Sequence, residues 1–378
     1  MTQDSIRELV RAIRPRYRRA KRAEKSRILD EFVANTGYHR KYAIRSLNHG
    51  LKQQRRERRG RPKTYTSEVV SALIKIWEIC DHICSKRLRP FLPEIIQVLE
   101  RERELVLPEE TKRLLLQMSP ATMDRCLRRV RHQRRRGWST TKPGTLLKQA
   151  IPVRTFADWD DARPGFVEMD LVAHCGDSTH GEYLNTLNVV DVSTGWSECL
   201  VLANRSQRQV SAAIERLRER LPFPLLGIDS DNDSAFINDN LFRYCQQEKI
   251  TFTRSRPYKK NDQAHVEQKN WSVVRRLIGY ERYESNEALA LLRAIYQDRQ
   301  LYVNFFQPVL KLIGKCRVGS KVRKQYDTAR TPYRRVLASP DVFEEDKERL
   351  RQIYATLNPV ALRQRIDENL ETLWKLSR

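Results

Sequence analysis

The sequence has no run of about 18 consecutive apolar residues, the length that a membrane-spanning helix requires. It also lacks the short apolar stretch after a basic start that is typical of a secretory signal peptide. The seven cysteines form no Cys-x-x-Cys pair and no spacing typical of a disulfide framework, which indicates free thiols. We therefore expect a soluble, cytoplasmic protein that has no membrane partner.

Acidic residues are scarce in the first part of the chain. Residues 1–150 contain 37 Lys and Arg against 16 Asp and Glu, which is +21 of the net charge of +25. Residues 151–378 contain 35 against 31, a net charge of only +4. A concentrated positive charge favours a polyanionic partner, so the first 150 residues are predicted to bind double-stranded DNA.

Two stretches of this basic part have the pattern of a helix-turn-helix module. In residues 1–50, an amphipathic helix is followed by Gly37, which suits a helix end, and then by a short basic helix. In residues 66–133, Ser119-Pro120 is a strong helix start before a second basic helix over 121–130. An alternative is that both basic faces are merely solvated. The predicted DNA contacts are Arg40, Lys41 and Arg45 in the first module, and Thr122, Arg125, Arg128 and Arg129 in the second.

Two segments are typical of linkers. Residues 51–65 are strongly basic, and their Arg-Gly-Arg-Pro sequence resembles an AT-hook. Such a segment would place Arg59 and Arg61 in a narrow minor groove, although the pattern also arises by chance in basic linkers. Residues 134–162 are predicted to connect the second module to the rest of the chain, because their first part is rich in Arg, Ser, Thr and Gly.

The pattern changes at residue 163, where short apolar runs typical of strands begin. The predicted order is three strands, a helix, a strand, a helix, a strand and a helix. The strands are predicted at 166–173, 184–192, 196–203, 224–229 and 250–254. This order predicts a mixed sheet of five strands with flanking helices.

Three carboxylates in this stretch have positions that suit a catalytic site. Asp170 lies inside the first strand, Asp231 directly follows the fourth, and Glu267 lies on the helix after the fifth. Two neighbours leave alternatives open. Asp229 alternates with Asp231 and would share its face, and Glu168 shares a face with Asp170.

These residues carry a resemblance to a known family. The segments Ser-Asp231-Asn-x-Ser-x-Phe236 and Arg256-Pro-Tyr-Lys-Lys-Asn-Asp-Gln-Ala-His-Val-Glu267-Gln-Lys-Asn resemble the second and third motifs of retroviral integrases and insertion-sequence transposases. The resemblance spans residues 163–306. It implies a multidomain protein with an α/β ribonuclease-H-like catalytic core, preceded by all-α helix-turn-helix modules and followed by an accessory region over 307–378. Most members have Gly and Glu where this chain has Asp233 and Ala235.

The resemblance implies a transposase with an Asp, Asp, Glu triad, here Asp170, Asp231 and Glu267. DNA cutting and joining is an in-line displacement that two Mg²⁺ ions about 4 Å apart can assist, with Mn²⁺ as a substitute. Asp170 would bridge the two ions, Asp231 would bind one and Glu267 the other. The residues predicted to contact DNA beside the scissile phosphate are Tyr258, Lys259, Lys260 and Lys269.

The predicted function is to bind the ends of an insertion element and to catalyse cleavage and strand transfer. The partners would be the terminal inverted repeats, the target DNA and further copies of the chain on DNA. One alternative is a catalytically inactive, domesticated DNA-binding regulator derived from a transposase. A second is a ribonuclease-H-type nuclease that acts on RNA–DNA hybrids.

Overall fold

The computed structural model describes residues 1–50, 64–133, 163–230, 235–236, 239–254 and 264–377. Nearly all of the two predicted linkers, including Arg59 and Arg61, lies outside the described residues. The chain divides into two compact units, Met1–Thr64 and Tyr65–Arg378. The helices of the described ranges include none with the length and apolar character needed to cross a bilayer.

The first unit is a bundle of three helices, α1 (Gln3–Arg19), α2 (Arg22–Thr36) and α3 (Arg40–His49). Its core is small and apolar, with Phe32 and Leu47 fully buried at the centre. Gly37 has a φ of 69° and its N–H donates to the carbonyl of Val33 at 2.8 Å, which ends α2 as the sequence predicts. The short turn at 37–39 then leads directly into the basic helix α3.

The second unit begins with four helices and ends with four more, and the sheet lies between them in sequence. The first group is α4 (Ser67–Ile79), α5 (Ser85–Arg101), α6 (Glu109–Gln117) and α7 (Pro120–Gln133). The last group is α12 (Asn286–Phe306), α13 (Pro332–Ala338), α14 (Glu344–Thr356) and α15 (Pro359–Lys375). Buried side chains of both groups and of the sheet form one continuous hydrophobic core. The predicted boundaries at residues 133, 162 and 306 therefore lie within one compact unit, and as domain limits they stay predictions.

The main sheet has five strands in the order β3-β2-β1-β4-β5. The strands are β1 (Phe166–Ala173), β2 (Asn185–Asp191), β3 (Ser197–Leu202), β4 (Gly227–Ser230) and β5 (Thr251–Arg254). The strands β1, β2 and β3 are antiparallel neighbours, whereas β4 and β5 continue the sheet in parallel with β1. This mixed sheet of five strands with flanking helices confirms the predicted fold class.

Helices connect and cover the strands. They are α8 (Gln207–Arg220), α9 (Asp239–Gln247) and α10 (Ala264–Lys269), followed by a π-helical stretch (Asn270–Arg275) and the short α11 (Arg276–Ile278). Gly227 is required where β4 meets β1, because a Cβ there would lie 2.4 Å from the ring of Phe166. All seven cysteines are free thiols, as the sequence predicts.

The turn between α4 and α5 is joined to three later helices, α11, α12 and α15, through one buried carboxylate. Asp81 lies within ion-pair distance of three guanidiniums, those of Arg276, Arg299 and Arg363. Burial raises the pKa of Asp81, but the hydrogen bond from His82 and the three guanidiniums outweigh burial and hold its pKa well below the usual range. The ionised Asp81 carboxylate therefore stabilises the fold above about pH 4, and this stabilisation is lost as the pH falls.

We predict that Asp81→Asn lowers the free energy of unfolding by about 3 kcal/mol. The figure is the lower end of the cost of removing one partner from a buried ion pair, because Arg276 and Arg363 still reach solvent. Urea unfolding at pH 7 measures the change. Glu110→Gln is the control, since Glu110 forms an exposed pair with Arg113 and should leave the midpoint unchanged. Equal midpoints for the Asp81 variant and the wild type would contradict this prediction.

Candidate active site

Asp170 lies in the middle of β1, the central strand of the main sheet. Its Cα is paired with that of Asn188 on β2. The half-buried carboxylate accepts the backbone N–H of Leu171 through Oδ1 at 2.8 Å, and a side-chain N–H of Asn270 through Oδ2. Two donors from different elements therefore fix the orientation of this carboxylate.

Asn270 is itself held by a short chain of polar side chains. Asn188 donates from Nδ2 to Oδ1 of Asn270 at 2.7 Å, and it accepts the thiol of Cys199 at 3.5 Å. Because the Oδ1 of Asn270 accepts this hydrogen bond, its Nδ2 points away from Asn188 and is available as a donor. The chain from Cys199 through Asn188 thus directs the N–H of Asn270 toward Asp170.

A second anchor holds the beginning of α10 on the same strand. Glu168 is fully buried, and its Oε2 accepts the backbone N–H groups of His265 at 2.9 Å and Val266 at 2.8 Å. These N–H groups belong to the first turn of α10, where a helix has no internal acceptors for them. A carboxyl group of the strand thus takes the place of a capping side chain.

The two anchors give α10 its direction. Two residues of a strand, from Glu168 to Asp170, span about 7 Å, and five helical residues, from His265 to Asn270, span about 7.5 Å. Because the distances match, α10 runs along β1 in the direction of the strand. Glu267 lies between the anchors, three residues before Asn270 on the same side of the helix. The structure therefore places Asp170 and Glu267 on adjacent elements.

Asp229 lies beside Glu168 in the neighbouring strand, as their paired Cα atoms show. It is buried and accepts the hydroxyl of Thr253 at 2.7 Å. Burial and, to a lesser extent, the charge of Asp229 raise the pKa of Glu168 to about 8, against the opposing effect of the two backbone N–H groups. The raised pKa favours the protonated form of Glu168, whose Oε2 accepts both N–H groups.

The described donors are of the type that a divalent metal requires. Asp170 and Glu267 provide carboxylate oxygens, the hard ligands that Mg²⁺ prefers. Asp231 directly follows Ser230, the last residue of β4, but it lies outside the described residues. Within the described ranges, no three His, Cys, Asp or Glu side chains are grouped to hold a metal.

Comparisons with known proteins bear on the family of this chain. The family model named integrase core domain matches residues 160–260. The uncharacterized protein y4rM of Sinorhizobium fredii (strain NBRC 101917 / NGR234) is 46% identical over 325 residues, which cover 84% of this chain and 91% of y4rM. The chain belongs to the same family as y4rM. It is a member of the integrase and transposase superfamily.

Two solved integrase cores are also similar to this chain. The HTLV-2 integrase catalytic core domain in complex with magnesium is 16% identical, with 39% of this chain and 90% of that chain covered and a TM-score of 0.29. The catalytic core domain of BIV integrase is 19% identical, with 45% and 91% covered and a TM-score of 0.27. At such low scores these likenesses carry no further conclusion.

The predicted DNA-contact residues of this integrase-superfamily member differ in their exposure and in their contacts with other side chains. On α3, Lys41 and Arg45 are exposed, whereas Arg40 is bound to Asp30 and Ser26 of α2. On α7, Arg125, Arg128 and Arg129 are exposed, and the half-buried Thr122 bonds to Arg125 at 2.9 Å. The remaining predicted contacts, Tyr258, Lys259 and Lys260, lie outside the described residues. These assignments stay predictions.

Lys269 is in a different setting from a surface lysine. Its side chain is half-buried, and burial together with the charges of Arg87 and Lys311 lowers the pKa of its ammonium to about 7. A phosphate beside Lys269 would raise this pKa and favour the positively charged ammonium. Its role at the scissile phosphate stays a prediction, and any such contact would be strongest when the lysine is protonated.

Sequence reasoning missed the supporting residues of the site. Asn188 was hidden in a strand in which every residue is buried, and Glu168 was noticed only for sharing a face with Asp170. One feature of the sequence could have identified both Glu168 and Asn188 as supporting residues. An amide or carboxyl side chain inside a buried strand must have a hydrogen-bond partner, and here the partners lie on α10 and the π-helical stretch.

We predict that Glu168→Ala destabilises the protein by about 2 kcal/mol, because two buried backbone N–H groups lose their acceptor. Glu168→Gln keeps an oxygen at the same place and should restore most of this loss. Urea unfolding gives the total change, and hydrogen exchange at the amides of His265 and Val266 gives the local one. If exchange at these two amides is as slow in Glu168→Ala as in the wild type, Glu168 does not anchor α10.

Proposed function

We propose that this chain is a DDE transposase that binds the ends of an insertion element and catalyses metal-dependent DNA cleavage and strand transfer. The observation that supports it most directly is the contact between Asp170 and Asn270, which brings the Glu267 helix to the central strand. The integrase core match over residues 160–260 supports the same activity class.

In this proposal the three carboxylates divide the work at the reacting phosphate. Asp170 on β1, Asp231 after β4 and Glu267 on α10 would together hold the metal ions. Two bound Mg²⁺ ions, or Mn²⁺ in their place, would activate the attacking oxygen and stabilise the leaving oxygen. Asn270 and Asn188 keep the Asp170 carboxylate in one orientation. Glu168 keeps α10, and with it Glu267, in register with β1.

Substrate binding in this proposal begins with the basic first part of the chain. Exposed cations on α3 and α7 contact the terminal inverted repeats, where phosphate contacts provide affinity and base contacts provide specificity. Two DNA ends must be processed together, so the protein acts as a homo-oligomer on DNA. The proposed location is the cytoplasm, in association with the nucleoid.

We predict that Asp170→Asn, Asp231→Asn and Glu267→Gln each abolish strand transfer in Mg²⁺ while binding to element-end DNA is retained. Each change removes the charge of a ligand without removing its bulk. The substrate is a duplex carrying the inverted repeats that flank the gene, and transfer products are counted on a gel. Asp229→Asn is the matched control, because Asp229 lies one strand away from β1 and is held by Thr253. It should retain activity.

Each alternative has its own outcome in this assay. If Asp229→Asn is inactive and Asp231→Asn active, the ligand at β4 is Asp229. If the wild type binds ends but yields no product in Mg²⁺ or Mn²⁺, the protein is a DNA-binding regulator. Cleavage of an RNA–DNA hybrid without any strand transfer would identify a ribonuclease-H-type nuclease.

We also predict that the double variant Lys41→Ala, Arg45→Ala weakens binding to element-end DNA and reduces the slope of log affinity against log salt by about 2, near 0.9 for each lost phosphate contact. Both side chains are exposed on α3, so the fold should not change. Fluorescence anisotropy at several salt concentrations measures the slope. The control is Arg40→Ala, whose guanidinium is bound to Asp30 and should change the slope less. Equal slopes for the double variant and the wild type would remove α3 from the DNA-binding surface.

A further inference from the structure

A two-stranded β-hairpin follows α12, in a region for which the sequence suggested no role. It consists of β6 (Leu312–Val318) and β7 (Lys321–Tyr326), which are antiparallel. The two-residue turn between them begins with Gly319 at a φ of 61°, the glycine-first arrangement that suits the twist of a tight hairpin. A Cβ on Gly319 would meet nothing within 4 Å, so the tip of the hairpin lies in open space.

In the described part of the chain, every hairpin residue whose burial is known, apart from the partly buried Gly314, is exposed. Arg317 and Arg323 are exposed, and so are the apolar Ile313 at 60% and Val322 at 55%. In the described residues these two strands form a separate sheet with no further strand on either edge. A two-stranded hairpin of this kind is only marginally stable by itself in water. Its sequence is thus suited to a surface that gains order from a partner.

The charge of the hairpin is entirely positive. The segment 308–326 contains six Lys and Arg and no Asp or Glu. Without this segment, residues 151–378 would contain 29 Lys and Arg against 31 Asp and Glu, a net charge of −2. Nearly all excess positive charge of the second part of the chain is therefore concentrated here. Among the described residues, no carboxylate is within ion-pair distance of Arg317, Arg323 or Lys324.

The base of the hairpin, by contrast, is firmly attached. Asp327 accepts the backbone N–H of Lys311 at 2.8 Å and pairs with Arg335 of α13 at 2.7 Å. The buried ammonium of Lys311 donates to the carbonyl of Val192, in the turn between β2 and β3. This turn is next to the beginning of β1, about 10 Å along the strand from Asp170. The tip projects freely while the base is fixed to the catalytic sheet.

We propose that this hairpin is a DNA-binding β-ribbon that lies in a groove of the duplex and contacts its phosphates through Arg317, Arg323 and Lys324. A pair of strands fits the major groove, which is about 12 Å wide, and six residues of strand extend about 20 Å along it. Cations on exposed strands match the phosphate rows that border the groove, and exposed apolar side chains such as Val322 can lie against base edges. The inference rests on DNA being the substrate of the proposed function.

The test compares two triple variants of the full-length protein. Arg317→Ala, Arg323→Ala, Lys324→Ala removes three cations from the ribbon, and Arg317→Lys, Arg323→Lys, Lys324→Arg keeps them. Binding to a 30-base-pair duplex of random sequence is measured by anisotropy over a range of salt. The neutral variant should reduce the slope of log affinity against log salt by about 3, at near 0.9 per contact. The charge-keeping variant should retain the wild-type slope.

A matched control separates a local effect from total charge. Arg208, Arg243 and Lys375 are exposed on α8, α9 and α15, so changing all three to Ala removes the same charge elsewhere. This control should keep the wild-type slope. All the changed side chains are exposed, so thermal midpoints should agree between variants and wild type. A slope that falls equally in the control, or not at all in the neutral ribbon variant, would overturn the proposal.

Two further outcomes are distinguishable. If Ile313→Ser with Val322→Ser changes the molar mass in solution while the neutral ribbon variant binds DNA normally, the ribbon is a protein-contact surface and the proposal is wrong. If the ribbon binds DNA but the triad assay gives no strand transfer, the DNA ribbon stands and the proposed catalysis fails. If the neutral variant performs normal strand transfer and its salt slope equals that of the wild type, the proposed catalysis stands and the DNA-binding ribbon is wrong.

Discussion

The arrangement of the site depends on two hydrogen-bonding groups of one strand. Glu168 and Asp170 point to the same face of β1, and each holds a different turn of the helix that carries Glu267. Because strand and helix advance by similar distances between these anchors, the helix cannot slide by a turn without breaking both contacts. A single central strand thus positions one carboxylate directly and a second through the helix packed on it.

The strand has this influence because it is the central strand of the sheet. It pairs with β2 on one side and β4 on the other, so neither edge is open to solvent. Burial has an electrostatic consequence. Together with the charge of Asp229, it raises the pKa of Glu168 to about 8, which favours the protonated form of this carboxyl group. The site therefore has separate groups for support and for chemistry.

The helices around the sheet are part of the same structural unit. Asp81, in a turn between two helices of the first group, binds arginines that come from the segment after the site helix, from α12 and from α15. Three distant segments of chain thus meet at one carboxylate. The hairpin after α12 is fixed at its base by comparable contacts but exposed beyond it, which suits a surface that binds DNA.

The sequence by itself determined the fold class, because alternating and helical apolar patterns specify which segments are strands and which are helices. The sequence also nominated Asp170 and Glu267, and the two motifs around Asp231 and Glu267 favoured one family. Only the tertiary structure decided the roles of Glu168, Asn188 and Asn270, since their partners are strand neighbours or lie about 80 to 100 residues away. The hairpin was missed for a related reason: no buried face gives it an apolar pattern, and its two strands are defined by pairing with each other.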